Sequence, residues 1–220
     1  MTKPNGNNNS AANVTYADVA RHFDRIAPDY EDGCGKVGWV GPEVLFDELK
    51  PYIPKQASLS LIDLGAGTGR VGQLFKHFHA ATHVTGVDIS ENMLEIARQK
   101  SRIDISLVGD VTALPPEAAR SFDIVTSAGV LDFIGNTDKL LSEAARVLKQ
   151  GGLCGIIFEP DNAAGPGHKT ISHNEDILKS QFAAHGFSVK KILRAPGIYT
   201  NFKTGAAVEN VIMIASLDKV

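Results

Sequence analysis

The segment Ile62-Asp63-Leu64-Gly65-Ala66-Gly67-Thr68-Gly69 closes a short apolar run with an acid and three alternating glycines. Glycines after a strand let the backbone turn tightly and approach a ligand without a Cβ clash. In an open α/β sheet, ligands sit beyond the carboxyl ends of the strands. A carboxylate just ahead of the glycines suits an ammonium and repels a pyrophosphate, so Asp63 argues for a positively charged ligand end. Asp88 ends the next apolar run, where an acid accepts hydrogen bonds from ribose hydroxyls. Asp110 ends the third, in Val108-Gly109-Asp110-Val111, and can accept from an exocyclic amine such as that of adenine. Ile89, Met93 and Val111 can sandwich a flat ring. One strand-end acid is most often a cap. Three at successive strand ends suit an adenosine that carries an amino acid.

The elements that must position these residues follow from hydrophobic period. Strands are expected over 59–64, 83–87, 103–108, 122–127, 153–158, 187–193 and 208–216. Helices are expected over 70–78, with Val71, Leu74, Phe75 and Phe78 on one face, over 91–100 behind the N-cap Ser90, and over 137–150, stopped by Gly151-Gly152. A capping box, Ser172-His173-Asn174-Glu175, opens another that ends at Gly186. Before the first strand, Thr15-Tyr16-Ala17-Asp18 opens a helix carrying Val19, Phe23 and Ile26, which Pro28 stops. Residues 29–41 read as an ordered loop, and Pro42 starts a helix with Leu45 and Leu49 on one face. Alternating strands and helices imply a doubly wound, seven-stranded, mostly parallel α/β sheet with helices on both faces. Residues 194–207 show no helical period, which permits an antiparallel last strand. The polar residues 1–13 read as a disordered tail, 14–57 as an N-terminal helical lid on the core, and 58–220 as the ligand-binding domain.

With IDLGAGTG, VTGVDIS, VGDVTALP, SFDIVTSAGVL and RVLKQGGLCGIIF in this order and spacing, the chain resembles the class I S-adenosylmethionine-dependent methyltransferases from about Leu59 to Phe158. The resemblance implies S-adenosyl-L-methionine as cofactor and a reversed last strand. It implies that Gly65, Ala66 and Gly67 line the methionine moiety, with Asp63 organising the loop or the ammonium. It implies Asp88 at the ribose, Asp110 with Val111 at the adenine, and Ser127 to Val130 under the sulfonium. Ala27-Pro28-Asp29-Tyr30 is similar to the family's lead-in, which would close Tyr30 over the methionine end. Pro28 and Glu31 depart from that pattern.

The sequence assigns no catalytic residue. A base matters only if the acceptor must lose a proton; Asp132, Glu159, His168 and Tyr199 are candidates near the cleft, with His173 a further loop histidine. Trp39 either stacks on an acceptor or anchors the lid. His77 and His79 point apart on a helix, so no metal site is expected. The 220 residues carry 22 basic and 25 acidic side chains, with 43% hydrophobic and 21% charged residues. That is the composition of one soluble globular domain, without the basic excess of a nucleic-acid binder. No apolar run spans a membrane, the N-terminus lacks a secretory core, and Cys34 and Cys154 read as reduced thiols. The expectation is a cytoplasmic methyltransferase of small molecules, monomer or homodimer. The alternatives are a non-catalytic S-adenosylmethionine-binding protein and a methyltransferase of protein or nucleic acid. A nicotinamide oxidoreductase is disfavoured by the GxGxG spacing and by Asp63.

Overall fold

Strands whose residues are apolar on both faces need helices on both faces. The computed structural model describes residues 15–53, 55, 58–161, 171–201 and 205–218. The expected tail over 1–13, and His168, lie outside the described residues. Among these residues seven strands form one sheet: β1 (Leu59–Leu64), β2 (Thr82–Asp88), β3 (Ile105–Val108), β4 (Phe122–Ala128), β5 (Leu148–Phe158), β6 (Phe187–Thr200) and β7 (Ala207–Leu217). Their order is β3-β2-β1-β4-β5-β7-β6, and β7 alone runs antiparallel to its neighbours. The order reverses at β1, between β2 and β4.

Three helices precede the sheet: α1 (Tyr16–Ile26), α2 (Tyr30–Val37) and α3 (Gly41–Leu49). Four follow within it: α4 (Arg70–Phe78), α5 (Glu91–Gln99), α6 (Thr137–Val147) and α7 (Glu175–Ala184). Successive residues of β1 serve opposite cores. Leu61 packs with Leu45, Leu49, Phe75 and Leu94, so α3, α4 and α5 share one face. Ile62 and Leu64 pack with Leu140, Ala144, Leu178 and Phe182, so α6 and α7 share the other. Among the described residues no helix is long and apolar enough to cross a membrane. Cys34 and Cys154 are free thiols.

β1 and α4 coincide with the expected 59–64 and 70–78, although Phe78 is exposed, edging onto Phe46 and lying under the Lys50 ammonium. Four expectations need correction. Residues 29–41 are not a loop: α2 forms despite Gly33 and Gly35, because Glu31 is bonded to Lys100 and Arg102 and tertiary contact outweighs poor propensity. The helix expected to 150 ends at Val147, and Leu148 pairs with Phe122 at the start of β5. An inward leucine fits either period, so the sequence did not separate them. Gly151 (φ +76°) then sits in a register shift of β5 rather than at a helix stop. The cap of α7 is Asn174, whose side chain accepts from the N–H groups of Asp176 and Ile177. Ser172 instead donates to Asp161. Finally, β6 continues to Thr200, with Pro196 at a register shift; it is the edge strand, where proline is tolerated.

Candidate functional site

β1 leaves the sheet through Gly65 (φ +76°), whose N–H donates to the Val87 carbonyl at 2.8 Å, as the Ala66 N–H does at 2.9 Å. A Cβ at Gly65 would lie 2.0 Å from the Val130 side chain, so both the turn and the close approach demand glycine. Asp88, at the end of β2, clamps the loop. Its Oδ2 accepts from the Gly67 N–H at 2.8 Å and its Oδ1 from the Ser90 N–H at 2.9 Å. Asp110 follows β3, and its Oδ1 accepts from the N–H and hydroxyl of Thr112, both at 2.8 Å. These turns floor a cavity lined by Gly65, Gly67, Asp88, Ile89 and Asp110. Tyr16, Val19 and Phe23 of α1 form its roof, and α1 has no buried residue of its own.

Two carboxyls at these strand ends are raised by burial. Asp63 is 2% exposed and accepts from the Thr126 hydroxyl at 2.7 Å. Burial pushes its carboxyl up to about 7 against that hydrogen bond, and the nearby Asp88 adds to the rise. Burial also raises Asp88, opposed by the N–H groups of Ser90, Gly67 and Ile89. Both carboxylates gain from a cation or a hydrogen-bond donor placed beside them.

A second, more open cavity adjoins the first and shares Phe23, Tyr30, Gly129 and Phe133 with it. It brings Asp132, Glu159 and Tyr199 together. The Tyr199 hydroxyl donates to Glu159 Oε1, and the Glu159 N–H donates to Asp132 Oδ1 at 3.3 Å. Burial and the charge of Glu159 push Asp132 up to about 7. Burial, then the bond to Glu159, raises Tyr199. The Trp39 ring meets Tyr199 edge-on at 5.8 Å between centroids, so it packs in this wall.

Of the sequence-predicted binding residues, Tyr30, Gly65, Gly67, Asp88, Ile89, Met93, Asp110, Val111 and Val130 line the first cavity. Asp63 and Ala66 line a third, which shares Tyr30, Gly65 and Gly67 with it. Ser127 lines none of the three, contrary to expectation. It is fully buried and its hydroxyl donates to the Leu64 carbonyl at 3.0 Å, tying β4 to β1, while Ala128, Gly129 and Val130 reach the cavity. Tyr199 lies in β6 rather than in a loop. His173 is not in the cleft; its Nε2–H donates to the Leu131 carbonyl at 2.7 Å and so steadies the turn carrying Asp132. Sequence reasoning missed Tyr16, Val19, Phe23 and Phe133 as lining. The available signal was the apolar stripe of α1, which has no core partner of its own.

Residues 62–156 match a family model described as a methyltransferase domain. The chain is 34% identical over 151 residues to a demethylmenaquinone methyltransferase of Leptospira interrogans, covering 64% of this chain and 60% of that protein. It is 29% identical over 124 residues to a trans-aconitate 2-methyltransferase of Paracidovorax citrulli, covering 56% and 47% respectively. It thus spans about half to three-fifths of these two relatives. Among solved structures, the magnesium protoporphyrin IX methyltransferase of Synechocystis, with bound SAH, aligns with a TM-score of 0.71 at 19% identity, over 91% of this chain and 98% of that one. A cyclase aligns with a TM-score of 0.75 at 17% identity, over 94% and 98%. Likeness at such identities speaks to the fold alone.

Proposed function

We propose that this chain, whose residues 62–156 match a methyltransferase-domain model, is a class I S-adenosylmethionine-dependent methyltransferase that moves a methyl group from S-adenosylmethionine to a small-molecule acceptor. One observation carries this reading. Asp63, Asp88 and Asp110 stand at the carboxyl ends of three adjacent strands around a glycine turn that has no room for a side chain at Gly65. An amino acid joined to an adenosine presents an ammonium, a diol and an exocyclic amine, the donors that such a row of acids satisfies.

The residues present fit the group. Asp63 and the Gly65-Ala66-Gly67 turn would hold the amino-acid end, with Tyr30 over it. Asp88 would take the ribose hydroxyls. Asp110 would take the adenine amine, between Ile89, Met93 and Val111. When bound, S-adenosylmethionine supplies a methyl carbon activated by a sulfonium leaving group. The protein's part is to align and to exclude water, which lowers a barrier by several kcal/mol when the reacting atoms are held close. Phe23, Tyr30, Gly129 and Phe133, shared by the two cavities, would form the passage through which donor and acceptor meet. Of the expected lid over 14–57, α1 and α2 act as the lid in this reading, while α3 belongs to the core. The acids of the outer cavity and the small-molecule names of the relatives support a small-molecule acceptor.

Incubation with methyl-labelled S-adenosylmethionine and a fractionated cell extract tests the acceptor class. Label is expected in the low-mass fraction; label confined to protein or RNA contradicts the reading.

A further inference from the structure

The outer cavity holds an arrangement that methyl transfer to a carboxylate would not need. Asp132 and Glu159 approach through a backbone hydrogen bond, and Glu159 also receives the Tyr199 hydroxyl. Glu159 is fully buried at the end of β5. Asn210, 1% exposed, precedes the ladder partner of Phe158 and so stands level with Glu159; its Nδ2 has no hydrogen-bond partner among the described residues. Aromatic rings face this polar group. Trp39 meets Tyr199 edge-on, and Phe23 meets Phe133 at 5.3 Å with the planes near perpendicular. The cavity's cations, Arg25 and Lys36, belong to α1 and α2 rather than to the β4–β5 side that carries the acids.

We propose that the outer cavity takes a flat, ring-bearing acceptor whose nucleophile is a neutral O–H or N–H, and that Glu159 receives the proton this group loses. The inference rests on the reading that the inner cavity holds the methyl donor. A carboxylate nucleophile would bring a third negative charge against Asp132 and Glu159 and would have no proton to give. A neutral hydroxyl or amine brings a donor to the acids and an apolar body to the rings. In the transfer, the lone pair of the nucleophile forms the bond to the methyl carbon. The carbon–sulfur bond breaks with its electron pair left on sulfur. The released proton goes to the Glu159 carboxylate, so the positive charge of the sulfonium and the negative charge of Glu159 vanish together.

Three probes of one shape test this: 2-naphthol, 2-naphthylamine and 2-naphthoate, titrated calorimetrically at pH 7.5 into full-length protein saturated with S-adenosylhomocysteine. At least one neutral probe is expected to bind ~10-fold or more tightly than naphthoate, and the two neutral arms tell O–H from N–H. In Glu159→Gln the preference is expected to fall, because one of the two repelling acids is gone, and Glu159→Asp should restore part of it. Naphthoate binding as well as the neutral probes overturns the proposal, as does a preference unchanged in Glu159→Gln, or no neutral probe binding at millimolar concentration. Should Glu159→Gln not fold, the wild-type comparison decides. Loss of S-adenosylhomocysteine binding in wild type would instead overturn the donor reading, which is measured first and separately.

Discussion

Asp63 and Asp88 are expensive residues in the free protein, and their cost is measurable. Asp63 and Asp132 are both pushed up to about 7, mainly by burial. An acid whose folded-state value lies above its unfolded value keeps its proton longer in the folded chain. Stability therefore falls as pH rises from the ordinary carboxylate range through about 7, and levels off above it. The midpoint of thermal unfolding is expected to be higher at pH 5.5 than at pH 8 by about 5 °C or more, since 1 kcal/mol moves a domain of this size by ~2–4 °C. Asp63→Asn keeps an acceptor for Thr126 and should flatten part of that slope while weakening the methyl donor. Scanning calorimetry at both pH values checks it; a midpoint that rises toward pH 8 contradicts it. Asp88 has a double role, because it also receives the Gly67 and Ser90 N–H groups. Asp88→Ala should therefore weaken donor binding by more than ~10-fold and also cost ~1–3 kcal/mol of stability, from two donors left unmatched. Unchanged affinity in that variant removes Asp88 from the site.

At the scale of elements, the N-terminal helices are tied down at few points. Asp24 of α1 accepts from the Ser90 hydroxyl at 2.6 Å and from the Asn92 N–H at 3.3 Å. Glu31 of α2 is bonded to Lys100 and Arg102; burial raises its carboxyl, but these bonds prevail and hold it at about 2. The Lys100–Glu31 pair is well exposed, so its worth to stability is small, ~0–1 kcal/mol, although Arg102 itself is mostly buried. Its removal should show in kinetics: Glu31→Gln is expected to speed donor release several-fold at low salt and to lose that difference near 1 M salt, where screening falls to ~3 Å. Stopped-flow release of bound donor checks this. Phe23→Ala should weaken the donor more than it unfolds the domain, because Phe23 roofs the cavity while α1 contributes no residue to the core. These elements also mark where the sequence was legible. β1 and α4 were read correctly because apolar period and glycine punctuation agree there. α2 was not, because two glycines in eight residues conceal a helix held by bonds from Glu31 to Lys100 and Arg102, just after α5. Nor could spacing show that Glu159 meets Tyr199, forty positions on, since only the β5–β7–β6 pairing brings them together.

For the whole molecule, the order of the sheet decides where chemistry can occur. Reversal at β1 opens a crevice between the ends of β1 and β4, and the acids of β1, β2 and β3 stand on one side of it. The acids after β4 and β5 stand on the other, and the residues shared between the cavities lie in between. The fold gives the crevice but not the reaction, as the alignment with a cyclase shows. The proposed methyl transfer rests instead on the acids at the ends of β1, β2 and β3 and on the four residues the two cavities share. The most direct test is isothermal calorimetry of the full chain with S-adenosylmethionine, S-adenosylhomocysteine and NAD. The account predicts binding of the first two at about micromolar Kd, near −8 kcal/mol, and none of NAD. Binding of NAD, or no binding of either sulfur nucleoside, would contradict it.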